Sequence, residues 1–250
     1  MKRIIVFVSI VFGAVLAVQA QQQIIEEAEQ LYTQQQFDSA LVLYTNLLDD
    51  GYQSADLYYN IGNVYYKKND VARAILFYEK AFLLNPHDKD IIHNLEFARS
   101  QQVDNIDSVG QGFFARWYSV WYRYFHPNTW IVISIVTFLF FLSGMFLFFF
   151  SQKMKYRKNG FFLGVFFLVV SGVAYTSAQS RYHELTAHTY AIVVEPTASI
   201  KTEPKAASKD LTVIHGGLKV YVMQKKENWF QIRLSDGNKG WINANYIEKI

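Results

Sequence analysis

Two long apolar stretches constrain this chain more than any other feature of its sequence. They run from Trp130 to Phe150 and from Phe161 to Ala178, and neither contains Asp, Glu, Lys, Arg or His. A helix of about 20 apolar residues crosses the ~30 Å hydrocarbon core of a bilayer. The chain is therefore not one large water-soluble domain, and the pattern predicts transmembrane helices at 129–151 and 160–178.

The loop that joins the two stretches, 152–159, is basic. Its cations are Lys153, Lys155, Arg157 and Lys158, and it carries no acidic residue. Short basic loops between spans favour the cytoplasm. We therefore expect a cytoplasmic loop, with the preceding and following parts of the chain outside the cytoplasm. Because the spans lack charged residues, an ion or proton pathway within this chain is disfavoured.

The first 20 residues are typical of a signal peptide. Lys2 and Arg3 precede the apolar run Ile4–Val18, and Val18-Gln19-Ala20 resembles a small-x-small cleavage motif. We expect cleavage after Ala20; an uncleaved anchor helix is the alternative. Export would place both remaining domains, of about 100 and 65 residues, in the periplasm of a bacterium, and each is long enough for a small domain.

The segment 21–101 shows internal self-similarity at a spacing of 34 residues, the distance from Ala40 to Ala74 and from Tyr44 to Tyr78. The second unit adds Tyr58, Ile61, Gly62, Tyr65, Ala81 and Pro86. This pattern resembles the tetratricopeptide repeat (TPR), in which small residues let two antiparallel helices approach closely. It predicts an all-α solenoid of about five helices, the last beginning near Lys89.

The TPR resemblance implies a concave groove that binds a peptide or a partner helix. By analogy the groove residues here are Tyr59, Asn63, Tyr66, His93 and Phe97. Some family members use an Asn at the place of Asn63 to hold a terminal carboxylate. The Lys and Arg residues that accompany it there are not found in this sequence, so carboxylate capture is not expected.

An aromatic segment, 113–127, precedes the first span and follows a polar linker at 102–112. Trp and Tyr favour the membrane–water boundary, and Arg side chains can reach lipid phosphates. We interpret this segment as an interfacial helix, with a partner-binding helix as the alternative. The residues expected at the membrane interface are Arg116, Trp117, Trp121, Arg123 and Trp130.

The segment 187–250 alternates apolar and polar residues in short runs separated by turn signals such as Gly216-Gly217 and Asp236-Gly237. The pattern predicts a small all-β barrel, and its Gly240-Trp241-Ile242 run resembles a bacterial SH3-like domain. That resemblance implies binding of peptides or cell-wall fragments, or docking of a partner. The candidate binding residues are Tyr221, Trp229, Trp241 and Tyr246, although Trp229 and Trp241 are more typical of the core or rim of a barrel than of ligand contacts.

Composition and motifs argue against several other functions. The chain has no cysteine, which excludes disulfides, thiol catalysis and cysteine-based zinc sites. Its histidines are dispersed without metal-ligand spacing, and no nucleophile elbow or phosphate-binding loop occurs. Acidic residues outnumber basic ones in the repeat segment, and no basic stripe indicates nucleic-acid binding. We expect no catalytic residues, no metal and no cofactor.

The order of these parts resembles the BatE family of the Bacteroides aerotolerance operon: signal peptide, TPR solenoid, aromatic segment, two-span hairpin and SH3-like barrel. Membership would imply an inner-membrane protein that forms a complex with von Willebrand A-domain proteins, alongside a MoxR-type ATPase. The sequence therefore predicts a non-enzymatic multidomain membrane scaffold with periplasmic domains. A cell-envelope sensor whose barrel binds peptidoglycan is the alternative, and an assembly factor for an outer-membrane or secretion machine is a third.

Overall fold

The computed structural model describes residues 21–104 and 112–250. The predicted signal peptide and most of the predicted linker lie outside these residues. The described chain forms two compact units. One joins the N-terminal helices to the C-terminal sheet, and the other comprises the segment from 109 to 188.

Five antiparallel helices form the described part of the chain up to residue 104. They are α1 (21–33), α2 (Phe37–Asp49), α3 (Ala55–Lys67), α4 (Val71–Leu84) and α5 (Lys89–Arg99). Gln35 and Asn69, which are 34 residues apart, both adopt φ of 63° in the turns after α1 and α3. The backbone therefore repeats with the same period as the sequence.

Side-chain caps fix where three of these helices begin. Ser54 accepts a hydrogen bond from the Leu57 N–H at 3.0 Å, and Asp70 accepts one from the Arg73 N–H at 3.0 Å. Asp88 does the same for α5. Such caps satisfy N–H groups that have no partner within the helix.

Helix α4 is buried on every side, from Ala74 through Glu79 and at Ala81. A helix at the surface of a solenoid is usually apolar on one face only. The second apolar face of α4 packs against the C-terminal sheet, so that Ile192 of the sheet belongs to the same hydrophobic core as Ile75 and Leu76.

The C-terminal part is one antiparallel sheet of seven strands, in the order β3-β2-β6-β5-β4-β1-β7. The strands are β1 (Tyr190–Val193), β2 (Thr197–Lys201), β3 (Asp210–His215), β4 (Lys219–Lys226), β5 (Trp229–Arg233), β6 (Lys239–Asn243) and β7 (Ile247–Lys249). Ala191 and Val193 face the core of the sheet, whereas Ile192 between them faces the helices. This two-sided burial explains why β1 is an unbroken apolar run.

Strand β3 was not predicted from the sequence. The strand begins at the charged Asp210 directly after the polar run 205–209, so the local pattern does not indicate where it starts. It pairs with β2 from Thr197↔His215 to Lys201↔Asp210, with a register shift beside Lys201.

The second unit contains α6 (Phe113–Tyr122), α7 (Pro127–Phe150) and α8 (Met154–Thr186). Helices α7 and α8 are long and apolar enough to span a membrane. Most of their large apolar side chains are exposed, including Phe146, Phe149 and Phe166. The two helices pack closely at Gly144, where an added Cβ would lie only 2.8 Å from the Gly160 carbonyl oxygen.

The limits of these helices differ from the prediction. Helix α8 begins at Met154, so that most of the predicted loop 152–159 is helical, and it ends at Thr186 rather than 178. Its polar C-terminal end contacts α6 and the residue after it. The hydroxyl oxygens of Tyr118 and Ser180 are hydrogen-bonded at 3.1 Å, and Arg123 forms an ion pair with Glu184. Helix α6 ends at Tyr122, earlier than the 113–127 expected.

Candidate functional site: the groove of the helical repeat

The five predicted groove residues all line one open cavity of about 370 Å³ on the helical repeat. Helix α3 contributes Tyr59, Asn63 and Tyr66, and α5 contributes His93 and Phe97. The repeat phase determines which helix face points into the groove, and for that reason the sequence was sufficient to place these side chains together. Four further residues complete the lining: Tyr32, Lys67, Tyr78 and Asn94.

A hydrogen-bond network lies at the base of this groove. The Tyr78 hydroxyl donates to Asn63 Oδ1 at 2.7 Å, and Asn94 Nδ2 donates to the same oxygen at 3.0 Å and to the Tyr59 hydroxyl at 2.9 Å. Burial raises the pKa of Tyr78 above its ordinary value, so its hydroxyl stays protonated and remains a donor. The network joins α3, α4 and α5.

Gly62 allows the Tyr78 ring to reach this position. A Cβ added at Gly62 would lie 2.6 Å from two ring carbons of Tyr78, too close for any side chain larger than hydrogen. The repeat signature thus has a direct structural cause here, because the small residue on α3 makes room for the aromatic ring on α4.

Aromatic side chains dominate the rim of the groove. Phe97 is 52% exposed, and its ring lies 5.7 Å from that of Tyr66 and 6.5 Å from that of His93. Lys67 carries the one formal charge among the lining residues. Exposed aromatic side chains beside fixed hydrogen-bonding groups are typical of surfaces that bind protein segments.

Sequence reasoning missed a buried ionic cluster behind the groove. The carboxylate of Glu79 on α4 is 1% exposed; it accepts hydrogen bonds from Arg99 on α5 and, at 2.8 Å, from Lys219 on β4. Burial by itself would raise the pKa of Glu79, but the charges and hydrogen bonds of the two cations outweigh burial and lower it. The one indication in the sequence is that Glu79 lies among apolar residues of α4, where a carboxylate needs a cationic partner.

The predicted sheet residues lie on three strands and one short turn. Tyr221 packs edge-on against Tyr190, with centroids 5.5 Å apart, and the Arg233 guanidinium lies 4.6 Å from its ring centre. Trp229 and Trp241 lie on the face of the sheet opposite its core, since their neighbours along the strands, Phe230 and Ile242, are buried in that core. Tyr246 lies in the short 3₁₀ turn that precedes β7.

The predicted membrane-interface residues divide into two groups. Arg116, Trp117 and Trp121 are exposed on α6, where the two indole rings stack with centroids 6.2 Å apart. Trp130 is only 4% exposed and donates from Nε1 to the Tyr122 carbonyl oxygen, while Arg123 binds Glu184. These last two side chains therefore hold α6 against its neighbouring helices.

Comparison with known proteins identifies the class of the helical segment. A family model for the tetratricopeptide repeat matches residues 55–88, which include α3 and α4. Repeats of this class are typically non-catalytic modules that mediate protein–protein interaction. No curated protein matches the chain, so no relative lends its name to the narrower BatE resemblance, which stays a prediction.

Proposed function

We propose that this protein is a non-enzymatic, membrane-anchored scaffold whose TPR groove binds a segment of a partner protein. The observation that carries the proposal is the convergence of Tyr59, Asn63, Tyr66, His93 and Phe97 on one open cavity. The hydrogen-bonded base fixes the shape of the groove before a ligand arrives, which lowers the entropic cost of binding. The exposed Phe97 supplies an aromatic anchor.

Contacts between the helical repeat and the sheet support a hairpin anchor. The two parts flank α7 and α8 in the chain, yet they share a hydrophobic core and the Glu79–Lys219 ion pair. Segments that pack together must lie on the same side of a membrane. An even number of crossings meets this requirement, and the basic residues near the α7–α8 connection favour the cytoplasm for that end.

The location and partners of the scaffold follow from the resemblances. We propose a bacterial inner-membrane protein in which the repeat and the sheet, an SH3-like domain, face the periplasm. The partners would be von Willebrand A-domain membrane proteins of the same operon, with a role in aerotolerance. Exposed Trp117, Trp121 and Arg116 of α6 would contact membrane lipid.

Site-specific photocrosslinking in living cells tests the groove. A benzophenone amino acid replaces Tyr66 in the groove or Val42, an exposed apolar residue on α2 that does not line the groove. We expect a discrete crosslinked partner from position 66 and none from position 42. Adding Phe97→Ala should reduce the yield about tenfold, the effect of losing a binding hot spot.

Equal crosslinking from both positions would contradict groove binding. So would an unchanged yield when Phe97→Ala is combined with Asn63→Ala, because both side chains line the proposed site. Mass spectrometry of the position-66 product then tests the proposed partner class.

One feature of the sheet favours a second function, the binding of peptidoglycan. Trp241 is paired across the strands with Lys201 and Gln231 on the outward face, and Gln231 accepts a hydrogen bond from Gln224 at 3.0 Å. Aromatic rings beside amide groups suit a polymer of amino sugars and peptides. Retention of the detergent-solubilised protein on purified sacculi, abolished by Trp241→Ala but not by Phe97→Ala, would favour this alternative over the scaffold.

A further inference from the structure

One shared carboxylate and two direct contacts link the end of α5 and the residues after it to the segment from His215 to Lys219, which ends β3, forms the β3–β4 turn and begins β4. Arg99 shares the Glu79 carboxylate with Lys219. Gln102 donates from Nε2 to the Gly217 carbonyl oxygen. Asp104 accepts a hydrogen bond from the His215 backbone N–H at 2.6 Å, and its second carboxylate oxygen lies 2.9 Å from His215 Nδ1.

The same helix contributes to the groove on its other side. Asn94 donates hydrogen bonds to Asn63 and Tyr59 of α3, and the neighbouring His93 and Phe97 line the groove beside it. Gln101, just after α5, donates to the Tyr66 hydroxyl at 2.5 Å. Helix α5 thus forms one wall of the groove, and the sheet binds the residues that follow the helix directly and its Arg99 through Glu79.

The β3–β4 turn also fits closely against α4. A Cβ added at Gly216 would lie 3.1 Å from the Ala72 Cβ, and one added at Gly217 would lie 2.9 Å from the Ile75 Cδ1. The turn therefore contacts α4 directly, while the polar contacts of Gln102 and Asp104 tie the chain just after α5 to the same part of the sheet.

We propose that Glu79, Lys219 and Asp104 are positioning residues for the groove: the C-terminal sheet holds α5 where His93 and Phe97 meet the partner segment. The proposal rests on the function assigned above to the groove. It gives the sheet a task that requires no ligand of its own. Loss of the sheet contacts frees α5 and widens the groove, although no groove residue has been changed.

Hydrogen–deuterium exchange of the full-length protein in detergent tests the proposal without a partner. Lys219→Gln removes one of the two cations on Glu79. We expect the amides of α5 to exchange about tenfold faster, while those of α3 and β5 keep their wild-type rates. The matched control is Lys80→Gln, which breaks the Lys80–Glu248 ion pair between α4 and β7 without touching α5.

Two further variants separate positioning from general stability. Lys219→Arg, which retains the charge, should restore wild-type exchange in α5, and Asp104→Asn should accelerate exchange there through an independent contact. Equal acceleration in α3, α5 and β5, or the same result for Lys80→Gln, would overturn the proposal. Because exchange requires no ligand, a positive result here together with failed photocrosslinking would contradict only the proposed function.

Discussion

The Glu79 carboxylate makes the free energy of unfolding depend on pH. Its pKa lies below the ordinary value in the folded protein, because Lys219 and Arg99 outweigh the effect of burial. In the unfolded chain a Glu titrates near pH ~4.3. A group whose folded-state pKa is depressed stabilises the fold above that pH, and its contribution is lost as the pH falls through the folded-state value.

Glu79→Gln tests this dependence with little change in side-chain size. At neutral pH we expect a loss of about 1–3 kcal/mol, less than for a fully buried pair because Lys219 and Arg99 can be hydrated. Thermal unfolding in detergent measures it. The difference from wild type should narrow as the pH falls from ~4.3 through the lower folded-state pKa, below which Glu79 is protonated in both states. A difference that stays constant with pH would contradict a lowered pKa for Glu79. The control is Glu248→Gln, which removes the partly exposed Lys80–Glu248 ion pair.

Substitutions at Gly217 and Gly237 separate the cost of backbone strain from the cost of steric overlap with neighbouring side chains. Both adopt positive φ, 92° and 93°, but only Gly217 has neighbours where a Cβ would lie. Replacement by Ala at either position imposes the strain of a left-handed conformation, about 1 kcal/mol. Gly217→Ala should cost about 1–3 kcal/mol more, since the methyl group displaces Ile75 and Gln102. Equal melting temperatures for the two variants would show that the β3–β4 turn does not pack on α4.

Helices whose positions follow from a local sequence pattern could be predicted from the sequence. Strands and helix ends that depend on contacts with distant residues could not. The 34-residue spacing fixes the phase of α3 and α5, and with it the groove residues. Strand β3 and the extension of α8 depend on pairing with β2 and on contact with α6. Docking of α4 on β1 joins residues separated by the whole apolar hairpin, and only the all-round apolar character of α4 indicated it.

The apolar hairpin offers a prediction at the scale of helices. A Cβ at Gly144 would meet the backbone of Gly160 and Gly164, whereas one at Gly172 has nothing within 4 Å. Close approach of backbones through small residues stabilises helix pairs in membranes. Gly144→Ala should therefore lower the melting temperature of the hairpin in detergent, and Gly172→Ala should leave it unchanged. Equal effects of the two substitutions would mean that the helices do not cross at Gly144.

For the whole molecule, the proposed anchor and the two parts that flank it in the chain constrain each other. The helical repeat and the sheet share a core, so in the proposed anchored protein the chain between them must leave and return on one side of the membrane. A hairpin of two spans meets that condition, as a single span does not. The basic residues beside the α7–α8 connection and the contacts between repeat and sheet are independent observations, and both favour this arrangement.

A disulfide tests the arrangement directly, because the chain has no cysteine of its own. Ala72→Cys with Gly216→Cys places two Cβ atoms about 3.1 Å apart, close to the ~3.5–4.5 Å of natural disulfides. In native membranes we expect an oxidant to form an intramolecular crosslink, seen as faster migration on non-reducing gels. Ala72→Cys with Lys226→Cys, at the far end of β4, should not crosslink. If both thiols of the first variant react with maleimide but form no disulfide, the helical repeat and the sheet are not in contact. The argument that both must lie on the same side of a membrane would then fail.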